Sequence, residues 1–466
     1  MRSARSSLAA LLLLALAACA DTPTPPPPPE ATAAQAAGPQ VPSRAEQRPG
    51  TWLDLSDAEL WRAVQASGGV AAVGLKAPGQ KRGVWRGQLL IRRAEWLQAR
   101  QNLLTRRGIT VLAVDELLPI VEVRLADADA LAALRRLPFV DYVEPVLAAQ
   151  AMPTLADVGG CGWGSAWSGD WQYTPQGDVY TEKYTAMGIP AAWGLSSGRG
   201  VTVGITDTGI SSTQAELTSG FATGESAGRT LRLLRVSSKS SAYDQCGHGT
   251  RMSGVLAAPR NGQNVTGVAW GANLVSVRHA DGVAAVSSSA AREGVRVAAQ
   301  NGARVVVMAW ESLNWFWQVS DEIEYWYYNG ARLFLAAAGT SGCGDLIPDG
   351  NVVFPAEMGE VIAVTGFAYP TTSVPCGIHH GPEVDVVAYL DVPTTGRNTG
   401  ELVGIGGSSN ATAVMGGIAA LVWSANPSLT RDQVRERLYR AAAGYPTRSS
   451  RHGYGLVNAY RAVTGQ

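Results

Sequence analysis

Three glycine-flanked segments of the chain each carry one residue that could take part in nucleophilic catalysis. An aspartate, a histidine and a serine occur in that order, as Asp207, His248 and Ser409. A serine hydroxyl attacks a carbonyl carbon when an imidazole removes its proton, and a carboxylate holds that imidazole in the required orientation. The three residue types together indicate acyl transfer through a covalent serine intermediate.

The sequence around each residue predicts the element that positions it. Residues 201–205 form an apolar, β-branched run typical of a buried parallel strand, which leaves Asp207 at the carboxyl end, where open α/β sheets place their sites. Helices are predicted over 250–258, just after the histidine, and over 411–423, just after the serine. A serine at a helix start lies close to free N–H groups, which stabilise an oxyanion forming beside it.

The order and the surroundings of these residues resemble the subtilase family. Subtilase triads run Asp, His, Ser, whereas chymotrypsin-like chains run His, Asp, Ser and α/β-hydrolases run Ser, Asp, His. The serine segment of the family is typically G-T-S-M-A-T-P-x-V-A-G, and residues 407–417 read GSSNATAVMGG. Further similar segments follow the family order at 267–277, 334–339, 384–388 and 453–459.

This resemblance covers roughly residues 189–462. It implies an α/β fold with a mostly parallel sheet and helices on both faces. It also implies a serine endopeptidase that hydrolyses peptide or protein substrates through an acyl-enzyme intermediate, with Asp207, His248 and Ser409 as the triad. No cofactor is required for this chemistry, no metal-ligating residues are predicted, and structural calcium is left open.

The N-terminus predicts export from a bacterial cell. Arg2 and Arg5 precede an apolar run at 8–16 that is too short to span a bilayer. The following Leu-Ala-Ala-Cys resembles a lipobox, so that Cys19 becomes the lipidated first residue after removal of a signal peptide over 1–18. Ordinary cleavage after a small residue, with Cys19 incidental, is the alternative.

The segment after Cys19 is Pro- and Ala-rich up to residue 50 and predicts an extended tether. The protein is therefore expected in the cell envelope or secreted, with the membrane contacted only through a lipid on Cys19. The net charge is zero and no basic patch indicates a nucleic-acid partner.

Residues 51–151 predict a small α+β domain. Strand and helix patterns between 69 and 145 follow the order βαββαβ, typical of an antiparallel sheet with helices on one face. The end of this segment, RLPFVDYVEP over 136–145, resembles the last strand of the inhibitor-I9-like propeptides of subtilases. That resemblance implies an intramolecular inhibitor, removed by self-cleavage within 147–175 to leave a catalytic domain assigned to 152–466. An unrelated ferredoxin-like module is the alternative.

Four cysteines remain once Cys19 is set aside, and an even number in an exported chain indicates two disulfides. The sequence permits three pairings. We favour Cys161–Cys246 and Cys343–Cys376, since each closes within one region. A zinc site is the rival, but the chain has no C-x-x-C and too few neighbouring ligands.

Several residues depart from the family pattern. Gly339 is followed by Thr340, where most subtilases have the asparagine whose amide donates to the oxyanion; we expect Thr340 and the Ser409 N–H to form the oxyanion hole. The strand that usually ends Ser-Leu-Gly and pairs with the substrate backbone here reads Ala309, Trp310, Glu311. The glutamate would crowd the pocket for the substrate side chain or favour a basic residue there. Gly339 is assigned to the same substrate-binding surface.

Aromatic side chains are concentrated after this strand, between 310 and 328. A helix is predicted over 321–329 with Ser320 as its N-cap. Most of these aromatics are expected in the core, while Trp310 and Trp315 could line the peptide cleft. Because of Thr340 and Glu311, a catalytically weakened subtilase that acts as a peptide-binding envelope module remains the alternative function.

Overall fold

The structure is a computed structural model that describes residues 52–76, 93–146, 161, 165–282, 287–341, 343 and 350–466. The predicted signal peptide, the lipidated Cys19 and the tether lie outside the described residues. All described residues fall within one compact unit, Val41–Gln466. Of the helices described, none combines the length and the apolar character that a bilayer-crossing segment requires.

The described residues 52–76 and 93–146 form the N-terminal module, in which they make a four-stranded antiparallel sheet and three helices. Its strands lie in the order β2-β3-β1-β4. The elements are α1 Asp57–Ala66, β1 Val70–Leu75, α2 Arg93–Leu104, β2 Ile109–Val114, β3 Ile120–Leu125, α3 Ala128–Arg135 and β4 Val140–Pro145.

The predicted βαββαβ order is present in this module, but helix α1 precedes it and was not predicted. Its start has a capping box, in which Ser56 accepts the Glu59 N–H and the Glu59 side chain accepts the Ser56 N–H. Leu60 and Val64 bury the inner face of the helix against the module core.

The described residues from 165 onward form the C-terminal body, which is built on a seven-stranded parallel sheet. Three short strands precede it: β5 Ser165–Ala166, β6 Gln172–Tyr173 and β7 Val179–Tyr180. The sheet strands are β8 Thr202–Asp207, β9 Leu231–Arg235, β10 Asn273–Arg278, β11 Val305–Met308, β12 Leu333–Ala337, β13 Val361–Phe367 and β14 Val386–Tyr389. Their order is β14-β13-β12-β11-β8-β10-β9, and two further short strands, β15 Val392–Thr395 and β16 Leu402–Ile405, pair antiparallel beside it.

Helices cover both faces of this sheet, as the fold-class prediction requires. They are α4 Glu182–Ala186, α5 Ile189–Trp193, α6 His248–Ala257, α7 Ser288–Gln300, α8 Trp317–Tyr328, α9 Gly407–Ala425, α10 Arg431–Arg440 and α11 Ala459–Thr464, with 3₁₀ turns at Ala215–Leu217 and Gly224–Ser226.

Successive residues of a strand point to opposite faces of a sheet, and β11 shows how the two cores arise. Val305 and Val307 belong to the core under α6 and α9, while Val306 and Met308 belong to the core under α7 and α8. Helix α9 packs closely because it has glycine at the contact: a Cβ at Gly416 would lie 2.4 Å from Val307 Cγ2.

The N-terminal module packs on α7 and α8 of the C-terminal body through polar contacts. The Tyr142 hydroxyl donates to Asp321 Oδ2 at 2.6 Å, and Glu144 accepts the N–H groups of Trp317 and Gln318 at 2.7 and 3.2 Å. Arg296 of α7 pairs with Asp115 at 2.7 Å.

These contacts explain a wrong prediction. Helix α8 begins at Trp317, four residues before the predicted start, and Ser320 is a helical residue whose hydroxyl bonds to the Phe316 carbonyl. The free N–H groups at the helix start are satisfied by Glu144 from the other module, so no local capping residue marks the boundary.

Candidate active site

Asp207 and His248 form a buried pair at the carboxyl edge of the sheet. Asp207 is the last residue of β8, and His248 is the first residue of α6. The imidazole Nδ1 lies 2.9 Å from Asp207 Oδ1 and 3.0 Å from Oδ2, and the two residues are 4% and 2% exposed. Contact at Nδ1 leaves Nε2 as the nitrogen that can exchange a proton with a neighbouring hydroxyl.

The strand end and the helix start can approach this closely because glycine occupies position 249. A Cβ there would lie 2.4 Å from the Gly209 carbonyl oxygen and 3.1 Å from Asp207 Oδ1. The Asp207 carboxylate also accepts the Thr208 N–H at 2.7 Å, and its own carbonyl accepts the His279 N–H at 3.0 Å. The carboxylate therefore has a fixed orientation toward the imidazole.

Asp244 organises the loop that delivers the histidine, and the sequence analysis missed it. One carboxylate oxygen accepts the N–H groups of Cys246 and Gly247, both at 2.8 Å. The other accepts the Thr250 N–H at 3.0 Å and the Thr250 hydroxyl at 2.6 Å. An aspartate four residues before the histidine was the available signal, since aspartates commonly bond to the first free N–H groups of a helix.

Ser409 lies at the start of α9, the helix that packs beside α6. Its side chain is half-buried, and its hydroxyl donates to the Ala309 carbonyl at 2.8 Å. Ala309 directly follows β11, the sheet neighbour of β8, so the serine is at the same sheet edge as Asp207. Among the described residues, Ala309 is the hydrogen-bond partner of this hydroxyl, and His248 does not bond to it.

Thr340 follows β12 and contacts the residue before the serine. Its hydroxyl oxygen accepts the Ser408 N–H at 3.0 Å and lies 3.0 Å from the Ser408 hydroxyl. The Gly339 N–H donates to the same Ser408 hydroxyl at 3.1 Å. Gly339 has φ 130°, and a Cβ there would lie 2.5 Å from His379 Nδ1, so this turn requires glycine.

Glu311 reaches from the end of β11 to the end of β12. Its Oε2 accepts the Thr340 N–H at 2.9 Å. Burial raises the pKa of Glu311 to about 7, against the opposing effect of that N–H. The sequence predicts Glu311 near the substrate, but its contact with Thr340 could not be predicted from the residues around it.

Trp310 and Trp315 do not line an open cleft. Trp310 is 1% exposed, and its indole N–H donates to Thr206 Oγ1 at 3.0 Å. Trp315 is also buried and packs on Phe354 with ring centroids 5.1 Å apart. Both side chains belong to the core under α7 and α8, so the expectation that they form cleft walls is wrong.

Two disulfides join the cysteines as the favoured pairing predicted. Cys161 is bonded to Cys246 with the Cα atoms 4.5 Å apart, and Cys343 is bonded to Cys376 with the Cα atoms 5.4 Å apart. The first bond joins an exposed residue to the loop just before His248. Over the described ranges, no group of three or more His, Cys, Asp or Glu side chains could hold a metal ion.

Comparison with known proteins places this geometry in a family. Residues 198–455 match the peptidase S8 domain, described as the subtilase family. The chain is 31% identical over 267 residues to a thermostable alkaline protease of Halalkalibacterium halodurans, covering 57% of this chain and 68% of that protein. It is 30% identical to subtilisin DY of Bacillus licheniformis, covering 57% of this chain and 92% of that protein.

Solved structures show the same fold at lower sequence identity. Fervidolysin of Fervidobacterium pennivorans, a keratinolytic enzyme related to subtilisin, superposes with a TM-score of 0.62 at 17% identity, covering 85% of this chain and 61% of fervidolysin. MycP1 of the ESX-1 type VII secretion system has a TM-score of 0.52 at 18% identity, covering 65% of this chain and 90% of MycP1. With the family match over more than half of its length, this chain belongs to the subtilases and is a serine endopeptidase.

Proposed function

We propose that Ser409 is the nucleophile, His248 the general base and Asp207 the residue that orients the imidazole. The observation that carries this assignment is the contact of both Asp207 oxygens with His248 Nδ1. That contact favours the tautomer with the proton on Nδ1 and an acceptor at Nε2.

The reaction would start with rotation of the Ser409 hydroxyl away from the Ala309 carbonyl. His248 Nε2 takes the hydroxyl proton while Ser409 Oγ bonds to the carbonyl carbon of the scissile peptide. The imidazolium, stabilised by Asp207, then gives the proton to the leaving amine, and an acyl-enzyme remains. Water attacks this ester by the same proton transfers in reverse order, which frees Ser409.

The oxyanion of each tetrahedral intermediate would be held by the Ser409 N–H and the Thr340 hydroxyl. The hydrogen bonds around Thr340 support this role. When Ser408 donates its hydroxyl proton to Thr340 Oγ1, the threonine oxygen accepts from both Ser408 groups, and its own proton is free for the substrate. A donor at this place contributes about 3–4 kcal/mol to transition-state stabilisation when it is an asparagine amide.

We also propose that the protein is exported and made as a zymogen whose N-terminal module is the inhibitor. The apolar run before Cys19 and the two disulfides support an oxidising compartment outside the cytoplasm. The buried polar contacts of Tyr142 and Glu144 with α8 support tight docking of the module. In this scheme peptide or protein substrates enter only after the module leaves, and a lipid on Cys19 anchors the precursor.

Labelling of the exported protein with a fluorophosphonate tests the assignment directly. Wild type should be labelled and should hydrolyse peptides, whereas Ser409→Ala protein should do neither. The same variant should stay full length if the cut within 147–175 is autocatalytic. Normal maturation of the Ser409→Ala protein would mean that another protease makes the cut. No comparison supports the alternative of a weakened peptide-binding module. Only a wild-type protein that fluorophosphonate fails to label would favour that alternative.

A further inference from the structure

Glu311 is held next to the proposed nucleophile, between the ends of two adjacent parallel strands. It comes two residues after Ala309, whose carbonyl accepts the Ser409 hydroxyl at 2.8 Å. Its carboxylate crosses to the Thr340 N–H at 2.9 Å, and Thr340 bonds in turn to Ser408. A substrate carbonyl attacked by Ser409 must therefore lie close to this carboxylate.

The Glu311 carboxylate lacks a cation. Its recorded hydrogen bond is to the neutral Thr340 N–H, and no Lys, Arg or His of the described residues forms an ion pair with it. Glu322 of the same body, by contrast, is paired with Arg296 at 3.0 Å. Glu311 is half-buried, so its carboxylate is partly removed from water, and a cation that reached it would bind favourably.

We propose that Glu311 is a specificity-determining residue that binds a Lys or Arg side chain on the acyl side of the scissile bond. This inference rests on the proposed function, because it requires Ser409 to be the nucleophile. The acyl side follows from Thr340. The carbonyl oxygen that points at Thr340 belongs to the acyl-side residue, so the side chain of that same residue is nearest to Glu311.

Charge also affects the transition state. A negative carboxylate beside the oxyanion hole opposes the negative charge that develops on the substrate oxygen. A substrate cation at Glu311 neutralises this repulsion as well as binding the carboxylate. The preference for a cationic substrate should therefore appear in kcat as well as in KM.

The test compares two fluorogenic peptides that differ only on the acyl side of the cleaved bond, with lysine in one and norleucine in the other. Norleucine keeps the unbranched apolar chain and lacks the charge. For the mature wild-type enzyme at pH 8.5 we expect kcat/KM to be about 10- to 100-fold higher for the lysine peptide. Both peptides use the same triad, so effects of pH on the triad cancel in the ratio.

The ratio should fall toward one at pH 5.5. Protonation of Glu311 removes its charge, and burial sets that pKa at about 7. The groups that hold the carboxylate from the facing elements, Thr340 and through it Ser408, are uncharged, and no charged side chain contributes to the shift. The transition in the ratio therefore reports on Glu311 itself.

Glu311→Gln should bring the ratio close to one at both pH values. The matched control is Glu293→Gln, because Glu293 lies on α7 and bonds to Ser237 away from the site; it should keep the wild-type ratio. Fluorophosphonate labelling shows whether each variant is folded and competent. If the glutamine variant does not label, the pH profile of the wild-type ratio decides the question.

An active, labelled wild type with a ratio near one at pH 8.5 would overturn this inference and leave the proposed function intact. A Glu311→Gln variant that keeps the wild-type ratio would do the same. A wild type that neither labels nor cleaves either peptide would overturn the proposed function, and this inference would fall with it.

Discussion

Buried carboxylates occur in two regions of this protein, and their partners differ. Around the active site the partners belong to the same body: Asp207 contacts His248, and Asp244 accepts four hydrogen bonds from residues 246–250. At the interface the partners lie in the other module: Glu144 accepts two N–H groups of α8, and Asp321 of α8 accepts the Tyr142 hydroxyl. The first set separates only on unfolding, whereas movement of one module separates the second.

The active-site contacts lie within one body, whereas the interface contacts depend on the proposed docking and departure of the N-terminal module. The pKa of Glu144 and that of Asp321 are both raised to about 8, chiefly by burial, although their hydrogen bonds act in the opposite direction. Departure of the N-terminal module would return both groups to water and to their ordinary pKa values. The interface is thus sensitive to pH.

The largest effect on activity should come from substituting the proposed triad residues. Ser409→Ala and His248→Ala should each lower kcat/KM by about 10⁶-fold, and the double variant should lose no more, because the residues act as a unit. Steady-state peptide hydrolysis measures this. Ser424→Ala, near the end of the same helix α9, is the matched control and should remain active. Normal hydrolysis by Ser409→Ala would remove Ser409 from the mechanism.

The second effect concerns the pH dependence of docking. The docked pKa values exceed the ordinary values of 3.8 and 4.5, so the docked form keeps protons that the separated groups lose as the pH rises. Docking should therefore weaken progressively between about pH 4 and pH 8 and then level off.

Urea denaturation of the full-length Ser409→Ala protein at several pH values measures this loss. Three other charged residues, Asp141, Glu322 and Arg292, lie near Asp321. They stay unsubstituted in this experiment. Asp321→Asn combined with Glu144→Gln should flatten the dependence. A flat profile before these substitutions would show that neither carboxyl titrates in this range.

The third prediction separates two roles of Glu144: accepting the N–H groups at the start of α8, and carrying a negative charge. In the same Ser409→Ala background, Glu144→Ala leaves the Trp317 and Gln318 N–H groups unsatisfied at a buried helix start. The unfolding free energy should fall by about 2–4 kcal/mol, whereas Glu144→Gln, which keeps an acceptor oxygen, should cost less. Glu116→Ala on the exposed surface of the module should change stability by less than about 0.5 kcal/mol. Equal losses for Glu144→Ala and Glu116→Ala would argue against the cap.

The smallest effect probes the oxyanion hole. Thr340→Val keeps the side-chain volume but removes the hydroxyl, and should lower kcat by about 10- to 100-fold at nearly constant KM. Thr340→Asn should raise kcat if an amide donates better than this hydroxyl. Active enzyme with an unchanged kcat in both variants would make Thr340 a structural residue.

The parts of the site that the sequence predicted are those set by short segments. The β-branched residues before Asp207 and the glycines beside His248 determine the local backbone within about ten residues. The sequence therefore predicts the strand that ends near Asp207 and the turn that carries His248. Helix α1 could also have been predicted, because Ser56 and Glu59 form its capping box within four residues.

The parts that could not be predicted depend on contacts between distant segments. The start of α8 is set by Glu144, more than 170 residues earlier, and the short distance between Glu311 and Thr340 arises only because β11 and β12 are neighbours in the sheet. Trp310 was misassigned for the same reason: its burial depends on Thr206 in β8.

The Cys161–Cys246 bond decides which fragments remain covalently joined after maturation. A cut before Cys161 places both sulfurs in one polypeptide, and the N-terminal fragment, with any lipid on Cys19, can diffuse away. A cut after Cys161 leaves that fragment attached to the loop before His248 until a reductant acts. In the proposed processing scheme, the position of the cut relative to Cys161 would therefore determine whether the N-terminal fragment separates from the catalytic body or stays bonded to it.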